Sequence, residues 1–256
     1  MDPGSSSPSP DPLPNGGEPG QVPGTTPFPG TTRLRWGLGD FFWIYVAGIV
    51  ASVVGVSVGF AITGDTSDHT GAITTALSTF AQFGTWFGCV VFIAHSKGRS
   101  VRRDFGLTLQ RRDWWAPFAG IGLFVIGSVM IQPLVNIVNA HQAVVDDLDH
   151  AGGAKLAVFA IVASVIAPVC EELLFRGLLL RALRRRMSPT AAVIVQALAF
   201  ALAHPMLSPT LGDFAVVPAL FLLGAVSGIV AVRKDNLSAS IMMHIGFNLV
   251  TTLLAL

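Results

Sequence analysis

Charge is what this chain has least of. Only 12% of its 256 residues are Asp, Glu, Lys or Arg, about half the roughly 25% typical of soluble globular domains. The 16 basic and 15 acidic residues cannot cover the surface of a water-soluble fold of this length, which excludes a soluble enzyme or soluble binding module. Cysteine is equally scarce: Cys89 and Cys170 both lie in apolar stretches, so a disulfide framework is excluded. Two-residue alternation of apolar and polar positions is missing, which argues against a membrane β-barrel. What is abundant is hydrocarbon. Apolar residues make up 52% of the chain and mean hydropathy is +0.63. These values describe an integral membrane protein of the all-α class. The net charge of +1 points to no particular partner.

Residues 1–32 are dominated by Pro, Gly, Ser and Thr, with too few large apolar groups to offset the entropy of ordering, so a disordered tail is expected there. The tail lacks the basic start and apolar core of a cleaved signal peptide. Residues 33–256 form the helical domain. A helix needs about 20 apolar residues to cross the hydrocarbon of a bilayer. Runs of suitable length occur at 41–63, 72–94, 114–138, 155–180, 189–204, 214–232 and 237–255. The pattern predicts a polytopic transmembrane helix bundle of about seven spans, the fifth of them short. Gly55/Gly59, Gly84/Gly88 and Gly224/Gly228 have the four-residue spacing that lets helices approach closely.

The breaks between spans are unequal in charge. Arg33 and Arg35 precede the first span, and Lys97, Arg99, Arg102, Arg103, Arg111 and Arg112 separate the second and third. Arg181, Arg184, Arg185 and Arg186 follow the fourth, and Arg233 and Lys234 follow the sixth. Basic residues stay on the cytoplasmic side, so the expected amino terminus is cytoplasmic and the carboxyl terminus outside. The alternate breaks hold Asp65, Asp68, Asp146, Asp147, Asp149 and Asp213, with Lys155 at a boundary. Orientation and attraction to anionic lipid account for the basic segment 96–113, so no nucleic-acid partner is expected. Trp114 and Trp115 suit an interfacial anchor.

Apart from Lys155 at the edge, the one remaining basic residue, Arg176, lies inside the fourth span beside Glu171 and Glu172. A charge in hydrocarbon costs from about 2.5 kcal/mol on insertion scales to 10 or more in simulations, so three together need a reason. Glu172 and Arg176 are four apart and can pair on one helix face. Glu171, about 100° round the helix, is left to face a cavity. Two further groups follow: Phe200 and His204 close the fifth span, while His244 and Asn248 share a face of the seventh. At 1.5 Å per residue, Glu171 and Asn248 lie roughly 15 Å from the cytoplasmic edge, His244 roughly 9 Å and His204 roughly 21 Å. Four polar groups on three helices therefore fall in one mid-membrane layer. His69, His95, His141 and His150 sit in loops or at boundaries, and Cys170 reads as an apolar core thiol.

At these positions the chain resembles the CPBP family of intramembrane proteases, which includes type II CAAX prenyl endopeptidases and bacteriocin-processing and self-immunity proteins. The family pattern is Glu-Glu-x-x-x-Arg, then Phe-x-x-x-His, then His-x-x-x-Asn. All three occur here in order, at 171–176, 200–204 and 244–248, within 155–255. The resemblance implies an intramembrane endopeptidase that hydrolyses a peptide bond of a membrane-associated protein or peptide. Glu171 would deprotonate a water with help from His204. His244 and Asn248 would stabilise the oxyanion, and Glu172, Arg176 and Phe200 would support the site. It implies no cofactor. Zinc on Glu171, His204 and His244 is the chemical alternative, although no His-Glu-x-x-His helix is present. The excess of 13 Arg over 3 Lys fits a GC-rich bacterial genome, which makes a bacterial inner membrane the expected location.

Other readings compete. A non-catalytic membrane scaffold or bacteriocin self-immunity protein could keep the same polar groups for binding. A transporter also needs intramembrane charge, but no internal repeat is evident. Ala225-Val226-Ser227-Gly228 lacks the first Gly of the rhomboid motif. Gly37-Leu38-Gly39-Asp40 matches the Gly-x-Gly-Asp of aspartyl membrane proteases, but Asp40 sits at a membrane edge.

Overall fold

A computed structural model describes residues 35–66, 70–138, 153–205 and 211–255. The 1–32 tail lies outside the described residues, as do Asp68, Asp146, Asp147, Asp149, His69, His141 and His150. The described residues form nine helices and no strand. They are α1 (Leu38–Thr63), α2 (Ala72–Ser96), α3 (Val101–Phe105), α4 (Ala116–Val138), α5 (Gly153–Leu183), α6 (Pro189–Ala203), α7 (Leu211–Ala215), α8 (Val217–Lys234) and α9 (Ser238–Ala255). Five of them, α1, α2, α4 with its preceding turn, α5 and α8, are long and apolar enough to cross a membrane. The shorter apolar helices α6 and α9 complete the seven expected spans.

Helix α5 runs through the middle, touching α1, α2, α3, α6, α8 and α9. Leu173, Leu174, Phe175, Leu178 and Leu180 are buried among those neighbours, so the charges on this helix are shielded by protein and not by lipid. At the periphery, α1 packs chiefly on α2, α4 on α9, and α6 on α8. Their outward faces carry Trp43, Phe92, Val129 and Ile137, all well exposed, as a hydrocarbon solvent requires.

α5 is not a regular α-helix. Val162–Ile166 and Glu172–Leu180 are π-helical. The first π turn has a local cause in Pro168, which has no N–H and whose ring crowds the preceding turn. The Ala167 N–H bonds back to Val162 O, and Pro168 offers no donor. The Ala163 carbonyl is thus left without a helical partner. Side chains of α9 fill the gap: Asn248 Nδ2 donates to Ala163 O at 2.9 Å, and the Ser164 hydroxyl meets that of Thr252 at 3.0 Å.

Of the three glycine pairs, two are at contacts. A Cβ on Gly55 or Gly59 would lie under 3 Å from α2, and Gly224 and Gly228 abut Ala197 and Gln196 of α6. Gly84 and Gly88 have nothing within 4 Å and are exposed. The tightest approach to a neighbouring backbone falls at glycines with no four-residue spacing. Gly120 faces the Met243 backbone and Gly246 the Pro117 backbone, which locks α4 against α9.

The basic breaks meet at one end of the bundle. Lys97 pairs with Asp40 at 2.6 Å, Arg181 with Asp235 at 3.1 Å and Lys234 with Asp113 at 2.5 Å. Gln110 N–H donates to Ser238 Oγ and Leu237 N–H to Gly106 O. Arg185 lies over the Trp36 ring and donates to the Trp36 carbonyl. The contacts thus gather the ends of α1, α2, α4, α5, α8 and α9.

Candidate active site

Glu172 stands at the head of the second π segment, fully buried. Its Oε1 accepts from His244 Nδ1 at 3.1 Å and forms an ion pair, without a hydrogen bond, with Arg176 Nη1 at 3.1 Å. The pairing of Glu172 with Arg176, expected from their spacing, is present in spite of the wider π pitch. The bond to His244 is additional, and it crosses from α5 to α9. Ser240, one turn before His244, stands beside the same carboxylate while donating to Leu237 O at 3.1 Å. Burying such a pair is costly unless further partners compensate. The Phe200 ring supplies one, with the Arg176 guanidinium 4.2 Å from its centroid.

His244 is buried, and its second nitrogen, Nε2, lies 3.7 Å from Glu171 Oε2. Glu171 is only partly buried. Two successive glutamates therefore face the two nitrogens of one imidazole. Because a carboxylate paired with Arg176 only accepts, Nδ1 carries a proton and donates it to Glu172.

Phe200 joins the remaining pieces. Its ring packs edge-on against Phe175 at 5.3 Å, His204 at 4.9 Å and His244 at 5.5 Å. His204 closes α6 and is exposed, with Nδ1 2.9 Å from the Phe200 carbonyl. That carbonyl can only accept, which places a proton on Nδ1 and the lone pair of the neutral ring on Nε2. His204 thus reaches the group through Phe200, while Asn248 lies toward the first π turn with one amide N–H on Ala163 O. Tyr45, the one tyrosine, enters from α1 between Trp86 and Phe175 and is an electrostatic neighbour of Glu171.

Among the described residues, no three His, Cys, Asp or Glu side chains converge as a metal ion would need. Of the zinc set drawn from the sequence, Glu171 and His244 face each other at 3.7 Å, and His204 packs edge-on against the Phe200 ring.

The family model described as Rce1-like, type II CAAX prenyl endopeptidase, matches residues 153–250. Over that segment the chain is similar to the Rce1-like family. The segment runs from the start of α5 to the middle of α9 and contains all seven motif residues, while α1 to α4 lie outside it. No curated protein and no solved structure matches the chain. The Rce1-like segment, with its apolar helices, makes this an integral membrane protein, and the family supports CAAX-type protease activity.

Sequence spacing did not reveal the Glu172–His244 contact, because a residue pair 72 positions apart carries no periodic signal. Ser240 was within reach of such reasoning, since it lies four residues before His244 on α9. Tyr45 carries no motif.

Proposed function

We propose that this protein is an intramembrane endopeptidase that hydrolyses a peptide bond of a membrane-associated protein or peptide with a glutamate-activated water. The observation that carries the reading is the half-buried Glu171 carboxylate 3.7 Å from His244 Nε2, held within a protein-shielded group of charges. Glu171 accepts a proton from water, and the water oxygen attacks the carbonyl carbon. As the C–N bond breaks, that proton passes to the leaving amine. His204 Nε2, with its lone pair outward, helps hold the water. In this reading the His244 ring carries a second proton, on Nε2, and that N–H together with the second amide N–H of Asn248 faces the oxygen that becomes negative. No resident metal takes part. The amino terminus is cytoplasmic and the membrane is a bacterial inner membrane.

The test is cleavage of membrane-associated peptides by detergent-solubilised protein, wild type against Glu171→Gln. Turnover by wild type alone supports the reading. Equal behaviour of the two with intact folding sinks it and favours a scaffold. Activity that disappears with a strong chelator and returns with zinc would replace the water mechanism by a metal one.

A further inference from the structure

Glu172 sits in an expensive place. Its side chain is wholly buried, Oε2 has no hydrogen-bond partner, and neither do Nε, Nη1 and Nη2 of Arg176. Such a buried pair needs further partners to offset its desolvation, and the one that Glu172 takes lies on another helix. Glu172 Oε1 accepts from His244 Nδ1 at 3.1 Å, while Arg176 Nη1 lies 3.1 Å from the same oxygen as an ion-pair partner only. With Nδ1 so occupied, Nε2 is the only ring nitrogen of His244 that can meet a substrate oxygen. It points toward Glu171 Oε2.

Resting on the hydrolase reading above, we infer that Glu172 is a positioning residue for His244: it fixes the ring so that Nδ1 is protonated and Nε2 faces the reacting centre. Arg176 is the counter-charge that keeps Glu172 ionised in a low-dielectric interior, and the Phe200 face holds both ends, lying under the guanidinium and edge-on to the His244 ring. Carboxylates that orient an imidazole in this way recur behind catalytic and metal-bound histidines, and losing them typically lowers activity about 10–100-fold. The arrangement separates the two adjacent glutamates by function. Glu171 meets the water. Glu172 acts through His244 and touches no substrate.

Two measurements test it. The first needs no turnover: nitrogen NMR of histidine-labelled wild-type protein, with the His244 signals identified by their loss in His244→Asn. A proton on Nδ1 is expected, with a changed signal in Glu172→Gln; a bare Nδ1 with the proton on Nε2 overturns the inference. The second is a double-mutant cycle. Glu172→Gln alone should lower kcat about 10–100-fold with KM nearly unchanged. In a His244→Gln background it should cost no further kcat, because its effect passes through that ring. Additive losses would show that Glu172 acts independently, as a helix lock. Where Glu172→Gln does not fold, Glu172→Asp keeps the charge near Arg176 but retracts it from the imidazole, and the same two outcomes apply. If wild type and Glu171→Gln alike cleave nothing, the hydrolase reading falls, while the state of the His244 ring still decides what Glu172 does.

Discussion

Glu171 and Glu172 differ by one position and by everything in their surroundings. Glu171 is partly open and faces an imidazole nitrogen, whereas Glu172 is sealed between a guanidinium and the other nitrogen of that ring. Glu171→Gln keeps shape and polarity, so the protein should insert and melt as wild type does. Peptide turnover should fall by at least roughly 10²–10⁴-fold, the usual contribution of a general base. Arg176→Gln acts differently, since it strands a buried carboxylate. Removing one partner of such a pair costs about 3–5 kcal/mol, so this variant should show a clear drop in melting temperature. A normal melt for Arg176→Gln would mean that the pair contributes nothing to the fold.

Between elements, backbone approach and loop chemistry decide. A methyl group on Gly246 would lie 2.1 Å from Pro117 O and 2.6 Å from Pro117 Cα, with backbone that cannot swing aside. Gly246→Ala should therefore cost about 1–3 kcal/mol, as overpacking does. Gly84→Ala meets open space and should be neutral or slightly stabilising through helix propensity. Comparing the two melting temperatures checks the packing of α4 on α9. In the turn between α1 and α2, Asp65 Oδ2 accepts from the Thr74 hydroxyl at 2.5 Å and from Gly71 N–H at 2.7 Å. The Thr74 bond chiefly, then that of Gly71, holds this carboxyl below the usual aspartate range. A pKa depressed in the folded state gives stability that is present above the unfolded value of about 3.9 and is lost as pH falls through the folded one. Acidification through that window should loosen the α1–α2 turn. In Asp65→Asn the corresponding part of the dependence of melting temperature on pH should vanish.

At the scale of the whole molecule, one end collects the basic breaks, tied by the Lys97–Asp40, Arg181–Asp235 and Lys234–Asp113 pairs. The proposed orientation, drawn from the positive-inside rule, has that end in the cytoplasm. A reporter active only in the cytoplasm should be on when fused after Arg186 and off when fused after Asp147; the reverse pattern would invert the orientation. The Rce1-like segment supplies every motif residue, but α1 and α2 close its flank, with Tyr45 stacked on Trp86 and set against Phe175. The chain before residue 153 is thus part of the wall beside Glu171.

Hydropathy and charge were enough for the membrane class, the spans and the sharing of one end by the basic breaks, because burial in hydrocarbon is a property of runs and averages. Local spacing was enough for the Glu172–Arg176 pair, since residues four apart meet on any helix close to α pitch. Contacts between helices were beyond it. Three glycine pairs with the same spacing divide into two interfaces and one exposed stripe, at Gly84 and Gly88, while the closest approach to a neighbouring backbone is at Gly120 and Gly246. Pro168 was legible as a break in hydrogen bonding, but only the packed bundle brings Asn248 to the carbonyl it frees. The grip of Glu172 on His244 joins residues 72 positions apart on two helices. No periodicity encodes that contact, which exists only because α9 packs against the middle of α5.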